Sequence, residues 1–191
     1  MSLLDPSSIT ARDPERVMPT SRIQCSDKST LINGIAADLI AASSSAIADG
    51  HTLHLTSYGT FSMHELLRAL LDFTGPSEVC ICTWAMTENP VRAIADMKSQ
   101  GLITGLHLLF DYKIKQRSGS AIALAEQIAD SHSLTKCHAK VTTITNPELG
   151  ISIVGSANYT RNPRIERLSI CADRSVAAFD RDWIKAEIQK Q

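Results

Sequence analysis

Two stretches of the chain, VCICTW at 79–84 and LHLLFDY at 106–112, are short and dominantly apolar. Runs this brief are too short for a buried helix. They fit strands covered on both faces. Ahead of the first run, Met63, Leu66, Leu67, Leu70 and Leu71 recur at helical spacing. Between the two runs, Asn89-Pro90 reads as an N-cap followed by proline at the first helical position, and the helix it opens runs to about Gln100, with Gly101 as the stop. Helix and strand in this rhythm restrict the chain to a layered α/β sheet whose parallel strands are joined by right-handed crossovers.

The remaining segments extend the same plan. Leu31, Ile32, Ile35, Leu39 and Ile40 predict a helix over 28–48, and HTLHLTSY predicts a strand over 51–58. Ser62 and Glu65 have capping-box spacing at the start of the Leu-rich helix, and Thr74-Gly75-Pro76 ends it. A further helix is expected over 120–130. Strands are expected over 136–144, 150–158 and 168–172, with Asn146-Pro147 as a turn. Asp180 is expected to cap a last helix carrying Trp183, Ile184 and Ile188. Residues 1–27, rich in Pro, Ser, Asp and Arg, read as an arm or irregular cap, and 28–191 as one domain.

Composition narrows the function. At 191 residues the chain suits one domain with its own core. The net charge of −1 excludes a polycation that binds nucleic acid by bulk charge. Within 111–174, however, nine Lys or Arg face six acids, a local balance of +3 against −4 elsewhere. No apolar run is long enough to span a bilayer. The N-terminus has no basic start followed by an apolar stretch, so no secretory signal is read and a cytoplasmic location is expected. The five cysteines, at 25, 80, 82, 137 and 171, lack metal-knuckle spacing and read as reduced thiols.

The chemistry concentrates in CHAKVTTITNPELGISIVGSANYTRNPRIE, residues 137–166. On a strand, His138 and Lys140 share a face. Gly155-Ser156-Ala157-Asn158 ends the next strand with small polar groups, and its glycine admits close approach. A neutral imidazole is a nucleophile, an ammonium neutralises anionic oxygens, and hydroxyl and amide groups bond the same oxygens. The set fits cleavage of a phosphate ester through a phosphohistidine.

These residues resemble the phospholipase D superfamily, whose motif runs His-x-Lys, then Asp, then Gly-Ser-x-Asn. His138-Ala139-Lys140 and Gly155-Ser156-Ala157-Asn158 match it, while Thr145 stands at the place of the motif's Asp, beside Asn146. The resemblance implies a phospholipase D-like layered sheet with helices on both faces and a single His-x-Lys motif per chain. It makes His138, Lys140, Ser156 and Asn158 catalytic, with Glu166 as the acidic partner that orients His138. The family's chemistry takes two such motifs: one His attacks phosphorus, and the other protonates the leaving oxygen and then activates water. Of six histidines, only His138 has Lys two residues on. The resemblance therefore implies a homodimer like that of the small bacterial endonucleases of the superfamily. It also implies a metal-independent reaction without cofactor, in which two lysines offset the phosphate charge. No Cys/His or carboxylate cluster shows ligand spacing.

The substrate expected is nucleic acid, DNA before RNA. Lys113, Lys115 and Arg117 follow a strand end, and Arg161 and Arg164 follow the Gly-Ser-x-Asn element. Together they read as a phosphate track. Tyr58, at the end of the first strand, is placed to line the site or stack on a base. Three functions compete: a nuclease, a non-catalytic nucleic-acid-binding module of the same fold, and a phospholipase or small-phosphodiester hydrolase. The last lacks an amphipathic membrane helix or apolar surface loop.

Overall fold

The computed structural model describes residues 21–26, 29–33, 45, 47–48, 50–161 and 163–190, and of 21–26, 29–33 and 117 the backbone alone. Among the described residues, nine strands form one sheet in the order β1-β2-β3-β9-β8-β7-β4-β5-β6. They are β1 (Ser21–Ser26), β2 (Ser29–Asn33), β3 (Thr52–Ser57), β4 (Ser77–Thr83), β5 (Ile103–Asp111), β6 (Ser131–Thr135), β7 (Val141–Thr145), β8 (Gly150–Gly155) and β9 (Glu166–Cys171). β4, β5 and β6 run parallel, and β7 returns antiparallel beside β4. β8 and β9 continue antiparallel to β3. Helices with described bounds are α1 (Met63–Thr74), α2 (Glu88–Ser99), α3 (Ile114–Ile128) and α4 (Arg174–Gln189).

The sheet is covered on both faces, as its apolar strands require. The larger core joins Leu66, Leu67, Leu70 and Leu71 of α1, Val91, Ile94 and Met97 of α2, and Ile122 and Ala125 of α3 to Val79, Ile81, Leu108 and Phe110 of the sheet. On the other face, Ile184 and Ile188 of α4 pack on Cys80, Cys82, Leu109 and Val141. Alternation within β4 explains the division: Val79 and Ile81 face one way, Cys80 and Cys82 the other. No helix among the described residues is long and apolar enough to cross a membrane.

Several expected boundaries move. Ser21–Ser26 and Ser29–Asn33 form an antiparallel pair at the sheet edge, joined to β3 through β2. The first strand lies inside the segment expected as an irregular arm, and the second replaces the start of the helix expected over 28–48. Leu31-Ile32 suits a short strand as well as a helix, because adjacent apolar pairs do not separate the two periods. Helical residues occur at Ser45, Ile47 and Ala48, and residues 1–20 and 34–44 lie outside the described residues. α2 opens one turn-edge earlier than expected, with Thr87 as N-cap and Pro90 third in the helix. α3 begins at Ile114 rather than near 120 and bends at Ser118 (φ −148°, ψ 46°).

Asp180 does not cap the last helix. Asp173 does, accepting from the backbone N–H of Ser175 (2.7 Å) and Val176 (3.3 Å). Asp180 lies buried in the middle of α4, where it accepts from Ser152 Oγ (2.5 Å) and Trp183 Nε1 (2.9 Å). A carboxylate aimed at the sheet survives there because both of its oxygens are satisfied.

The largest revision concerns the strand expected over 136–144. Ser131–Thr135 is a strand of its own, at the edge beside β5, and the next strand starts only at Val141, beside β4. Residues 136–140 are therefore a crossover. They pass over the C-terminal ends of β5 and β4 to reach the far side of β4. The extended, mixed-polarity composition of KCHAK reads the same in a strand or a crossover, so only the strand order separates them.

Candidate functional site

His138 and Lys140 sit on this crossover rather than side by side on a strand. The C-terminal ends of parallel strands are where open α/β sheets build their sites. The His138 side is exposed, and its ring meets the Trp84 ring edge-on, centroids 5.6 Å apart with an interplanar angle of 68°. Trp84 directly follows β4, so the end of that strand supplies a wall for the imidazole. The Lys140 ammonium donates to the His138 carbonyl oxygen (2.9 Å). That bond folds the lysine back over its own segment and holds its charge beside the histidine.

One carboxylate organises the crossover. Asp111, the last residue of β5, is 6% exposed and accepts from the backbone N–H of Lys113 (3.0 Å) and of Cys137 (3.2 Å). It thereby ties the start of α3 to the residue preceding His138. Asp111 and Trp84 escaped the sequence reading. Their signal was slight: one polar or aromatic residue closing each of two apolar strand segments.

The Gly-Ser-x-Asn segment is held quite differently. Gly155 closes β8, and its N–H donates to the Lys140 carbonyl (3.3 Å). A Cβ at Gly155 would stand 2.4 Å from the Arg167 carbonyl oxygen and 2.4 Å from Leu168 Cδ2. The glycine is required because β8 and β9 approach too closely there for any side chain. Ser156 leaves the ladder but stays on β9: its N–H donates to the Arg167 carbonyl (3.0 Å), and its Oγ accepts from the Arg167 N–H (3.0 Å) while donating to Glu166 Oε2. Asn158 Oδ1 accepts from Thr83 Oγ1 at the end of β4 (3.3 Å). Tyr159, fully buried, completes the seam. Its N–H donates to the Ala85 carbonyl (3.1 Å), its carbonyl accepts from Thr87 (2.9 Å), and its hydroxyl shares a hydrogen bond with Thr142 Oγ1 (2.9 Å).

Thus Lys140 meets Gly155, Ser156 meets Glu166, and Asn158 and His138 contact the consecutive residues Thr83 and Trp84 at the end of β4. One expected contact is absent. The Glu166 carboxylate takes its hydrogen bond from Ser156 and not from the His138 imidazole. Glu166 opens β9, whose register places it opposite Ser57 of β3, while the crossover is delivered by β6 and β7. The short offset between Ser156 and Glu166 favours their pairing.

The cleft beside this corner is lined by Ser57, Phe61, Ser62, Asn158, Thr160 and Glu166. Tyr58 follows Ser57 and is 41% exposed, at the rim. Arg161 and Arg164 are exposed on the loop between β8 and β9. The Glu65 carboxyl, at the start of α1, is held below the usual carboxylate range: burial pulls it up, but hydrogen bonds from Ser62 and the charges of His64 and Arg161 outweigh that. The expected basic track divides. The Lys113 ammonium lies 5.7 Å from the centre of its neighbour Tyr112's ring, Lys115 pairs with Glu126 (3.4 Å), and the Arg117 side chain lies outside the described residues. Among the described residues, no three His, Cys, Asp or Glu side chains come together so as to hold a metal ion.

The layered α/β sheet is a fold shared with a solved structure. Polyphosphate kinase from Porphyromonas gingivalis shares it with a TM-score of 0.53 at 13% identity, over 71% of this chain. That match covers 25% of the kinase, so this chain spans a quarter of that protein. A phospholipase D family member, Nuc, from Salmonella typhimurium matches with a TM-score of 0.49 at 14% identity, over 62% of this chain and 84% of that one. No protein-family model and no curated protein matches the chain.

Proposed function

We propose that this protein is a phosphodiesterase of the phospholipase D-like type, a nuclease that cuts nucleic acid, DNA before RNA, without a metal. The observation that carries the reading is the crossover. It lifts an exposed imidazole over the ends of parallel strands, with an ammonium folded against the same segment and the Gly155–Asn158 corner beside it.

In the proposed reaction a His138 ring nitrogen attacks phosphorus, and the ester P–O bond breaks. The leaving oxygen takes a proton from the second His138 of a homodimer. That imidazole, now neutral, removes a proton from water, whose oxygen bonds phosphorus as the P–N bond breaks; the phosphate monoester leaves and the first His138 returns to the free base. Lys140 turns from its own backbone carbonyl to the non-bridging oxygens, and the Asn158 amide adds a neutral donor to them. Lys140 neutralises charge in the ground state and the transition state alike. Ser156 and Glu166 act as one unit that holds the corner. Lys113, Arg161 and Arg164 lie on exposed loops and serve as phosphate contacts, with Tyr58 at the rim as a stacking surface.

A second reading, a nucleic-acid-binding module without turnover, is favoured by one observation: Glu166 bonds Ser156 and leaves His138 without an acidic partner. One experiment separates the two. The protein is incubated in EDTA with end-labelled single- and double-stranded DNA and RNA. Cleavage in chelator supports the enzyme; retention of the labelled strands without cleavage supports the module. Cleavage that needs added magnesium overturns the histidine mechanism.

A further inference from the structure

Cys82 is the penultimate residue of β4, and Cys137 immediately precedes His138. They are remote in sequence, yet their Sγ atoms are 3.2 Å apart. Cys82 is 1% exposed, while Cys137 is half-buried on the crossover. Both belong to the small core beneath α4, where Ala139 and Val141 also pack. The Cys82 thiol also points to the Ala139 carbonyl oxygen at 3.7 Å. The sulfurs therefore meet where the crossover rests on the end of β4. The Trp84–His138 ring contact lies two residues further along one segment and one residue along the other. Cys80 and Cys171 are free as well, but neither has another cysteine sulfur in contact among the described residues.

We propose that Cys82 and Cys137 are an oxidisable dithiol, a modification site for hydroperoxides whose closure to a disulfide displaces His138. The half-buried Cys137 is the sulfur that a small peroxide reaches. Its thiolate attacks one peroxide oxygen and the O–O bond breaks. Cys137 is left as a sulfenic acid, and the departing oxygen leaves as water after taking a proton. The Cys82 sulfur then attacks the Cys137 sulfur, the S–S bond forms, and the hydroxide released takes the Cys82 proton as a second water. Two thiols lose two electrons and one peroxide gains them. Cys82 suits the second role. Burial and the neighbouring Cys137 push its thiol up, so it does not compete for the oxidant, and the Lys140 charge assists its ionisation.

A disulfide holds its sulfurs about 2 Å apart, so the pair must close by about 1 Å. Cys82 is fixed in a central strand between β5 and β7, so the crossover makes the movement. His138, the next residue, moves with it. Misplacement of a reacting group by about 1 Å can cost on the order of 100-fold in rate. This loss of activity rests on the nuclease reading; the formation of the bond does not.

The test treats the reduced full chain with hydrogen peroxide and maps its peptides by mass. A Cys82–Cys137 linked peptide that dithiothreitol releases is the expected result. A sulfinate on Cys137, or linkage of other cysteines with this pair still free, overturns the proposal. Movement of His138 is read from the NMR signal of its imidazole Cε1–H, which should shift on oxidation and return on reduction. An unmoved signal in linked protein overturns the displacement, whether or not the protein is a nuclease. Where cleavage is measurable, oxidation should lower it at least ~10-fold, while Cys82→Ala should keep its rate in peroxide. Cys137→Ser provides a second variant on the less buried side, and it too should form no link. Loss of rate in Cys82→Ala equal to that of the wild type would assign inactivation elsewhere.

Discussion

The crossover at 136–140 and the corner at 155–159 meet in one site but are held by opposite means. The corner is stitched by backbone: Gly155, Ser156 and Tyr159 bond the main chain of Lys140, Arg167, Ala85 and Thr87. The crossover has no ladder of its own. It rests on the Asp111 carboxylate, the Trp84 ring and the thiol pair, and Lys140 bonds its own segment. The corner is thus the stiff part, and the His138 imidazole rides on a segment held, apart from the Gly155–Lys140 backbone bond, by side-chain contacts that can be altered one at a time. Mutation of Gly155, at the backbone-held start of the corner, should act through stability, and mutation of His138, on the crossover, through rate.

The widest separation is expected from His138→Ala. Removing the attacking nitrogen should lower turnover at least ~1000-fold, about 4 kcal/mol of barrier, with little change in substrate affinity. Acid-labile, base-stable phosphate on His138 should be trapped by quenching the wild type during turnover. An active wild type without adduct, together with normal turnover in His138→Ala, would make His138 structural. Gly155→Ala should do the reverse. Its Cβ collides with the Arg167 carbonyl and Leu168, so a stability loss of roughly 1–3 kcal/mol is expected in a urea melt. A melt that matches the wild type would show that the corner yields.

Asp111→Asn sharpens the comparison further. It retains the shape but weakens two charge-assisted bonds to backbone N–H groups. About 1.5 kcal/mol and faster hydrogen exchange at the Cys137 amide are expected. Unchanged exchange would mean that the thiol pair and Trp84 suffice to hold the crossover. The smallest effect is expected from the outer basic residues. Changing Lys113, Lys115 and Arg117 to Ala together should flatten the salt dependence of nucleic-acid binding by about one unit per lost phosphate contact. Because Lys115 is paired with Glu126, Lys113→Ala alone should account for more of the change than Lys115→Ala alone. Equal effects would show that the Lys115 pair opens on binding.

Much of this was legible in the residues. The Leu-rich helix begins at its capping box, with Glu65 Oε2 accepting from the Ser62 N–H (2.7 Å), and its five-residue stripe is buried as the spacing demands. The apolar runs at 79–84 and 106–112 are interior strands of the sheet. The turn where the motif's Asp is absent is held all the same: Asn146, beside Thr145, braces it by accepting from the N–H groups of Glu148 (2.9 Å) and Leu149 (2.7 Å) and donating to the Thr74 carbonyl (2.9 Å). Less legible were elements whose local pattern serves two structures. Leu31-Ile32 suited helix or strand, and KCHAK suited strand or crossover. Asp180 resembled a cap until Ser152 and Trp183 were found beside it.

What the sequence determined by itself is the set of parts: which segments bury a face, where helices start, and which side chains offer an imidazole, an ammonium and an amide. Those are properties of neighbours along the chain, encoded in periods of two and 3.6 residues. The tertiary structure alone decided the strand order. It sent residues 136–140 over β4 and β5, turned Glu166 toward Ser156, and set Cys82 against Cys137. Those outcomes depend on which strands pair. Pairing is settled by the burial of whole faces and the satisfaction of backbone hydrogen bonds between residues far apart in the chain, which no local pattern records.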